Sequence, residues 1–538
     1  MRQERRTSGR ANPRTTSYMP WTSLEKRLYA LICIATLFFA CVTPPFQAPD
    51  ENQHFMKALL LSEGGMLTKQ QGAMIGAELP RAAIDLHDAH FPTRASPEAR
   101  LFRPSMLMTV WDAGKSRADE RRFADFPNVA NYAPTLYLPG ATGLAIGKSL
   151  GLPHLGAFYS GRIVNALFAL AMLAAALGLV PFGRNALLAT ALLPTFCYQN
   201  ASLSPDAVIN GTGFLGLALA LRVGFMGWTA KRGLALYLTA PVLALAKGVY
   251  LPLMAAGLRW PESRRDLRPL PLLAAMVIGA FAFLLWMKLS GGTQALYHIV
   301  SRKTGETVMT APLGQQLAVI LHDPLAYLHI LVTSVTERAP VYALQIVGRF
   351  GWNAILLPLL AYPLALAMLG AAIGSGSAMR VSWGQRLWWL AIAAGVALLI
   401  ETAMYLTGTP LGADYIQGTQ GRYFLPVLPL ALLAFMPAAP LRGARPLFAD
   451  RPCCYSPLPP PRFSTASGSM ASSPPTACPR TMTPSAVSSC PLRAGSQAPH
   501  SASQPSPSIQ PASTSLGQCT PSQTRLIPIS AIASPMAT

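Results

Sequence analysis

The sequence predicts an all-α polytopic membrane protein with about ten transmembrane helices and two extracytoplasmic loops. Three observations predict it. Of 538 residues, 51% are hydrophobic and only 12% charged, about half the charged share of a soluble domain. The apolar residues fall in runs of spanning length, separated by short basic loops. The formal charge of +21 comes from 43 Lys and Arg against 22 acidic residues, and the basic residues gather in the N-terminal segment and the short loops. That is the positive-inside pattern of a membrane protein, so the excess charge implies membrane lipids as partners and no nucleic acid. The eight cysteines show neither metal-ligand spacing nor a disulfide framework.

Residues 1–27 form a basic, cytoplasmic segment, and the membrane domain extends over 28–440. Leu28–Thr43 is the first span, uncleaved because no small-residue cleavage site follows it. Its basic flank places the N-terminus inside and residues 44–132 outside, as a first extracytoplasmic loop holding several short helices. Residues 133–152 are rich in Pro and Gly and read as a helix on or dipping into the outer face. Gly156–Val180 returns inward to Gly183-Arg184, Asn185–Ala201 runs out, and Ala207–Gly227 runs in to Lys231-Arg232. Only residues 233–258 separate that loop from the next basic one, Arg259–Arg268. Two half-depth helices meeting at Ala246-Lys247-Gly248 fit there, with Lys247 at an outward tip, because a lysine buried within a span is costly. Pro269–Leu289 leads to a second extracytoplasmic loop at 290–350, amphipathic near His322–Val347. Trp352–Ile373, Leu387–Leu406 and Tyr423–Pro440 complete ten crossings. Residues 441–538 are dominated by Pro, Ser and Thr without a periodic apolar face, and read as a disordered or frame-shifted tail.

The polar motifs all fall on one predicted membrane face. Pro49-Asp50-Glu51-Asn52-Gln53-His54 places two carboxylates and a histidine within about a helical turn. That grouping suits a general base or a divalent metal. It equally suits a capping box, with Asp50 as N-cap and Gln53 closing it. Ser204-Pro205-Asp206 also reads as a helix start. Lys247 reads as an anion site or as a lysine reaching for head groups. Arg162 lies near the outer end of its span, either snorkelling or paired with a loop carboxylate. Gln420-Gly421-Arg422-Tyr423 closes the last outer loop, where an interfacial Arg-Tyr anchor is the alternative. His87 and His90 with Asp85 and Asp88 are dense in ligand types but match no metal spacing.

Five motifs in this order, Pro-Asp-Glu-x-x-His-Phe, Tyr-x-Pro-x-x-Tyr-x-Pro at 132–139, Ser-x-Ser-Pro-Asp, Ala-Lys-Gly and Gln-Gly-Arg-Tyr-Phe-x-Pro, resemble the bacterial "domain of unknown function 2142" family of predicted membrane proteins. That family is similar to the GT-C membrane glycosyltransferases, which take sugars from polyprenyl-phosphate carriers at the outer face of the cytoplasmic membrane. The resemblance implies a catalytic base or metal ligand at Asp50 or Glu51, with His54 in support. It implies a second acidic residue at Asp206, a carrier-phosphate contact at Lys247 and another at Arg422, with Gln420 and Tyr132 as further substrate-binding residues. A divalent ion, Mg or Mn, would rest on Asp50 and Asp206. The expected partners are a polyprenyl-phosphate-linked sugar and an envelope glycan, lipid or protein acceptor, in the bacterial inner membrane with the N-terminus cytoplasmic. The alternative is a non-catalytic envelope protein or a transporter of lipid-linked glycans; a transporter would be expected to carry its polar groups near the bilayer midplane, often in repeated halves.

Overall fold

The computed structural model describes residues 20–90, 120–259, 269–290, 296, 298–301 and 305–441. Most of the basic N-terminal segment, the middle of the first loop, the loop at 260–268 and the tail from 442 onward lie outside the described residues.

Helix α1 spans Ser23–Val42. Thr22 and Glu25 form a capping box at its start, with Thr22 N–H donating to Glu25 Oε2 at 2.6 Å and Glu25 N–H to Thr22 Oγ1 at 3.2 Å. Helix α2, Glu51–Ser62, follows. The rest of the first loop holds a three-stranded antiparallel sheet, which was not expected: β1 Lys69–Gln71, β2 Met74–Pro80 and β3 Arg121–Asp125 in that order. Helix α3, Arg81–His90, comes directly after β2. The stretch at 133–152 forms helix α4, Leu138–Ser149. At 12 residues it is too short to cross a bilayer, which agrees with a helix at one face.

Helix α5, His154–Leu179, packs closely against α4. Their approach requires glycine. A Cβ on Gly143 would meet the Ser160 carbonyl oxygen at 2.6 Å, and one on Gly147 would meet Ala157 Cα at 2.6 Å. Small residues four apart that let two helices touch backbone to backbone are the usual means of packing helices in lipid.

The remaining helices are α6 Arg184–Ala191, α7 Pro194–Asn200, α8 Asp206–Met226, α9 Ala230–Ala246 and α10 Pro269–Leu289. A two-stranded hairpin, β4 His298–Val300 with β5 Thr307–Met309, precedes α11 Leu313–His322 and α12 Pro324–Gly348. A second short hairpin, β6 Arg349–Phe350 with β7 Ile355–Leu356, leads to α13 Ala361–Gly374, α14 Trp383–Gly408 and α15 Leu428–Phe435.

Among the described residues four helices are long and apolar enough to cross a membrane: α5, α8, α10 and α14. The bent pair α11 and α12 makes five if counted as one span. Among the described residues several of the runs expected to cross are divided or shortened, and proline is one reason. Pro194 divides the run at 185–201 into α6 and α7. The run at 352–373 begins in a turn with Trp352 and Asn353 at positive φ, so helix starts only at Ala361. The run at 423–440 contains Pro426 and Pro429 and yields an eight-residue helix.

Residues 233–258 do form two helices meeting at Lys247: α9, then a 3-10 helix over Gly248–Gly257. The second lies against α8 so tightly that a Cβ on Gly224 would meet the Gly257 carbonyl oxygen at 1.9 Å. Buried ion pairs tie α1 to the bundle at both ends. Near its start, Arg184 Nη1 donates to both oxygens of Glu25 at 2.9 Å. Beyond its end, Arg162 donates to the carbonyls of Thr43 and Pro44 while pairing with Glu51.

Candidate functional site

Asp50 stands at the N-cap position of α2 with φ 63° and ψ 2°, a left-handed conformation in which Asp and Asn are the most tolerated non-glycine residues. Its side chain makes no capping hydrogen bond, so the capping box allowed by the sequence does not form. The carboxylate turns away from its own helix, and Arg422 Nη2 donates to Asp50 Oδ2 at 2.8 Å.

Glu51 differs entirely from its neighbour. It is 0% exposed and accepts four N–H bonds: Arg162 Nε at 2.8 Å, Arg162 Nη2 at 2.6 Å, Leu203 N at 2.8 Å and Phe46 N at 3.1 Å. Arg162 is also fully buried, so this is a desolvated bidentate pair. Of the two outcomes the sequence left for Arg162, pairing with a loop carboxylate is the one that forms.

The Ser202–Asp206 turn is held by the same frame. Asn165 Nδ2 donates to the Ser202 and Ser204 carbonyls, both at 2.8 Å, and the two serine hydroxyls lie 2.8 Å apart. Pro205 occupies the cap of α8, and Asp206 is its first residue, with its backbone N–H on Ser204 Oγ. That leaves the Asp206 carboxylate for Arg422, whose Nη1 donates to Oδ2 at 3.1 Å.

Arg422 is the hub. It is 6% exposed, lies in the 3-10 turn Gly421–Phe424, and its Nη1 also donates to the Pro49 carbonyl at 3.2 Å and to Gln199 Oε1 at 3.4 Å. Its turn is held by Gln345, whose Oε1 accepts the Gly421 N–H at 2.6 Å. Gln420 lies just outside the cluster, with Oε1 accepting from Asn353 Nδ2 at 3.4 Å. Lys247 Nζ stands over the Tyr423 ring, 3.6 Å from its centroid. Tyr423 is fixed in turn by the Tyr250 hydroxyl, which donates to its carbonyl at 2.8 Å. Lys247 is half-buried and stacked on Tyr423, and its ammonium offers donors to an incoming anion.

His54 faces this group from α2. Its Nδ1 lies 2.9 Å from the Tyr137 hydroxyl, and the Tyr132 ring is 6.1 Å away. Burial pushes its pKa down to about 4, against the opposing pull of Asp50 and Asp206, so the ring is neutral at pH 7. The charges near it are two carboxylates, one guanidinium and one ammonium, which balance.

The metal reading meets a different arrangement. Among the described residues no group of three or more His, Cys, Asp or Glu side chains is placed to hold a metal ion. The cation between Asp50 and Asp206 is the Arg422 guanidinium. Both carboxylates are thus joined through Arg422.

The structure therefore gathers Asp50, His54, Asp206, Lys247 and Arg422 in one place, with Tyr132 at its edge through His54. It places Glu51 beneath them and Gln420 beside them. It adds Tyr137 and Gln199, which sequence reasoning did not single out, and gives Tyr423, read there as an interfacial anchor, a place under Lys247. Tyr137 was legible as the second tyrosine of the Tyr-x-Pro motif. Gln199 was hidden in an apolar run taken for a span.

No curated protein and no solved structure matches the chain. Residues 33–431, which contain all five motifs, match the family described as "Predicted membrane protein (DUF2142)". The chain belongs to that family of predicted membrane proteins.

Proposed function

We propose that this chain is a membrane glycosyltransferase that moves a sugar from a polyprenyl-phosphate carrier to a cell-envelope acceptor at the outer face of the bacterial cytoplasmic membrane. One observation carries the reading. Residues as far apart as Asp50 and Arg422, 372 positions distant in the chain, form one cluster with Asp206, and Lys247, stacked on an aromatic face beside it, brings the charges into balance. In a membrane protein such expensive polar groups mark function before structure.

Asp50 is the general base of this proposal and Glu51 is not. A base must take up a proton, and Glu51 is sealed by four donors inside a buried ion pair. Asp50 is only partly buried and holds Arg422 through one oxygen. The acceptor hydroxyl gives its proton to the Asp50 carboxylate as its oxygen attacks the anomeric carbon. The bond from that carbon to the carrier phosphate breaks, and its electron pair leaves on the phosphate. Lys247 and Arg422 stabilise the charge that develops there. Attack opposite the leaving group inverts the anomeric centre. Asp206 keeps Arg422 oriented, and neutral His54 holds the buried Tyr137 hydroxyl.

Incubating the purified protein with radiolabelled polyprenyl-phosphate sugars and envelope extract tests the proposal. The expected result is label in a new glycosidic linkage. Label moved across a vesicle bilayer without such a bond would favour a lipid-linked-glycan transporter instead.

A further inference from the structure

A cavity of about 280 Å³ lies between α2, α3 and the sheet. It is lined in part by Asn52, Gln53, His87, Asp88, Phe123 and Asp125. Asn52 is 2% exposed, and its Oδ1 is buried with no hydrogen-bond partner. Gln53 Oε1 is in the same state. Buried amide oxygens left unpaired are rare in folded proteins, and two in adjacent residues point to a donor that arrives from outside. The neighbouring bonds fix their direction. His87 Nδ1 lies 2.9 Å from Asp88 Oδ1, which sets the ring with Nδ1 protonated and Nε2 accepting. Asn52 Nδ2 then donates to Nε2 at 3.2 Å, leaving its Oδ1 turned elsewhere.

From this geometry we infer that the cavity binds a sugar ring of the acceptor, an inference that rests on the glycosyltransferase reading. The unpaired groups are acceptors, so the ligand must bring donors. Asp88 and Asp125 outnumber Arg122 in the lining, and Arg122 lies 3.7 Å from Asp88, so the cavity disfavours a phosphate, which separates it from the carrier site. Phe123 and the apolar residues of the lining suit the C–H face of a ring. The volume lies just below the range of ligand pockets, about 300–1,000 Å³, and suits a single ring. Asn52 and Gln53 follow Asp50 by two and three residues, roughly 3–5 Å along the helix axis at ~1.5 Å per residue. One short helix thus presents the base at its start and the ring-binding amides in its first turn. The His87–Asp88 pair, which matches no metal spacing, finds a role in orienting Asn52.

The test is saturation-transfer NMR on the full-length protein in nanodiscs, using methyl glycosides of glucose, galactose, mannose, rhamnose and N-acetylglucosamine as probes. At least one probe should bind saturably. Joint substitution Asn52→Ala with Gln53→Ala should weaken that binding at least ten-fold, while Asp50→Asn keeps it. Should the double variant misfold, Met74→Trp fills the cavity from an exposed lining position and should have the same effect. Binding of no probe, or equal binding in Met74→Trp, would overturn the inference. Transfer activity with an acceptor KM unchanged in the cavity variants would also overturn it while leaving the proposed function standing. Specific sugar binding without transfer from any donor would leave the cavity assigned and sink the catalytic reading.

Discussion

Asp50 and Glu51 are adjacent carboxylates with opposite fates, and the difference comes from partners far away in the chain. Arg162 lies 111 residues from Glu51 and captures it in a desolvated fork. Removing one partner of such a pair leaves a buried charge and typically costs about 3–5 kcal/mol. Arg162→Leu is therefore expected to lower the thermal unfolding temperature sharply in detergent, and an unchanged transition would contradict the structural role given to Glu51. His54 makes a second prediction. Its folded pKa is about 4 against an ordinary value of 6.5, so the unfolded chain binds the extra proton first as pH falls. Its contribution to stability is complete above about pH 6.5 and is lost as pH falls toward 4, amounting to at most on the order of 3 kcal/mol. Thermal unfolding of wild type and His54→Gln across that window checks it: the variant should show a shallower pH slope. The choice between Asp50 and Glu51 was not legible in the sequence, because side-chain type and spacing are the same for both and only the tertiary partner distinguishes them.

The helix pair that meets at Lys247 is positioned by contact with α8. A Cβ at Gly224 would stand 1.9 Å from the Gly257 carbonyl oxygen, whereas one at Gly314 meets nothing within 4 Å. Gly224→Ala should therefore destabilise by about 1–3 kcal/mol through overpacking and displace Lys247. Gly314→Ala should do neither. Thermal unfolding of both variants is the check, and equal transitions would contradict this account of the packing. At this scale the sequence was informative where a helix is long, apolar and free of proline: Pro269–Leu289 has the bounds its hydropathy predicts. The break at Lys247 was legible from charge alone, since a short segment between two basic loops had to turn back. The run at 185–201 misled because average hydropathy outweighed Pro194 and the polar Tyr198-Gln199-Asn200 that follows it. The three-stranded sheet was missed because β1 is only three residues long and β2 pairs with β3 across more than forty residues, as Gly76 with Asp125, leaving little local signal.

Across the molecule, the ion pairs divide along α1. Glu25 and Arg184 meet near its start, and Glu51 and Arg162 beyond its end, next to the cluster around Arg422. Charge placement assigned those same groups to opposite sides of the membrane before any contact was known. Cysteines introduced at the exposed positions Gln71 and Lys231 in a cysteine-free background should therefore react with an impermeant reagent from opposite sides, Gln71 from outside. Labelling of both from one side would contradict that arrangement. In the proposed reaction the gathered cluster performs transfer, with Asp50 as its base. Asp50→Asn keeps the shape and a hydrogen bond acceptor for Arg422 but cannot take the proton. The most direct measurement is transfer from a radiolabelled polyprenyl-phosphate sugar by purified wild type and Asp50→Asn, each shown to be folded. In the variant kcat should fall by about 10²–10⁴-fold, with carrier binding retained. Transfer by Asp50→Asn at the wild-type rate would contradict it.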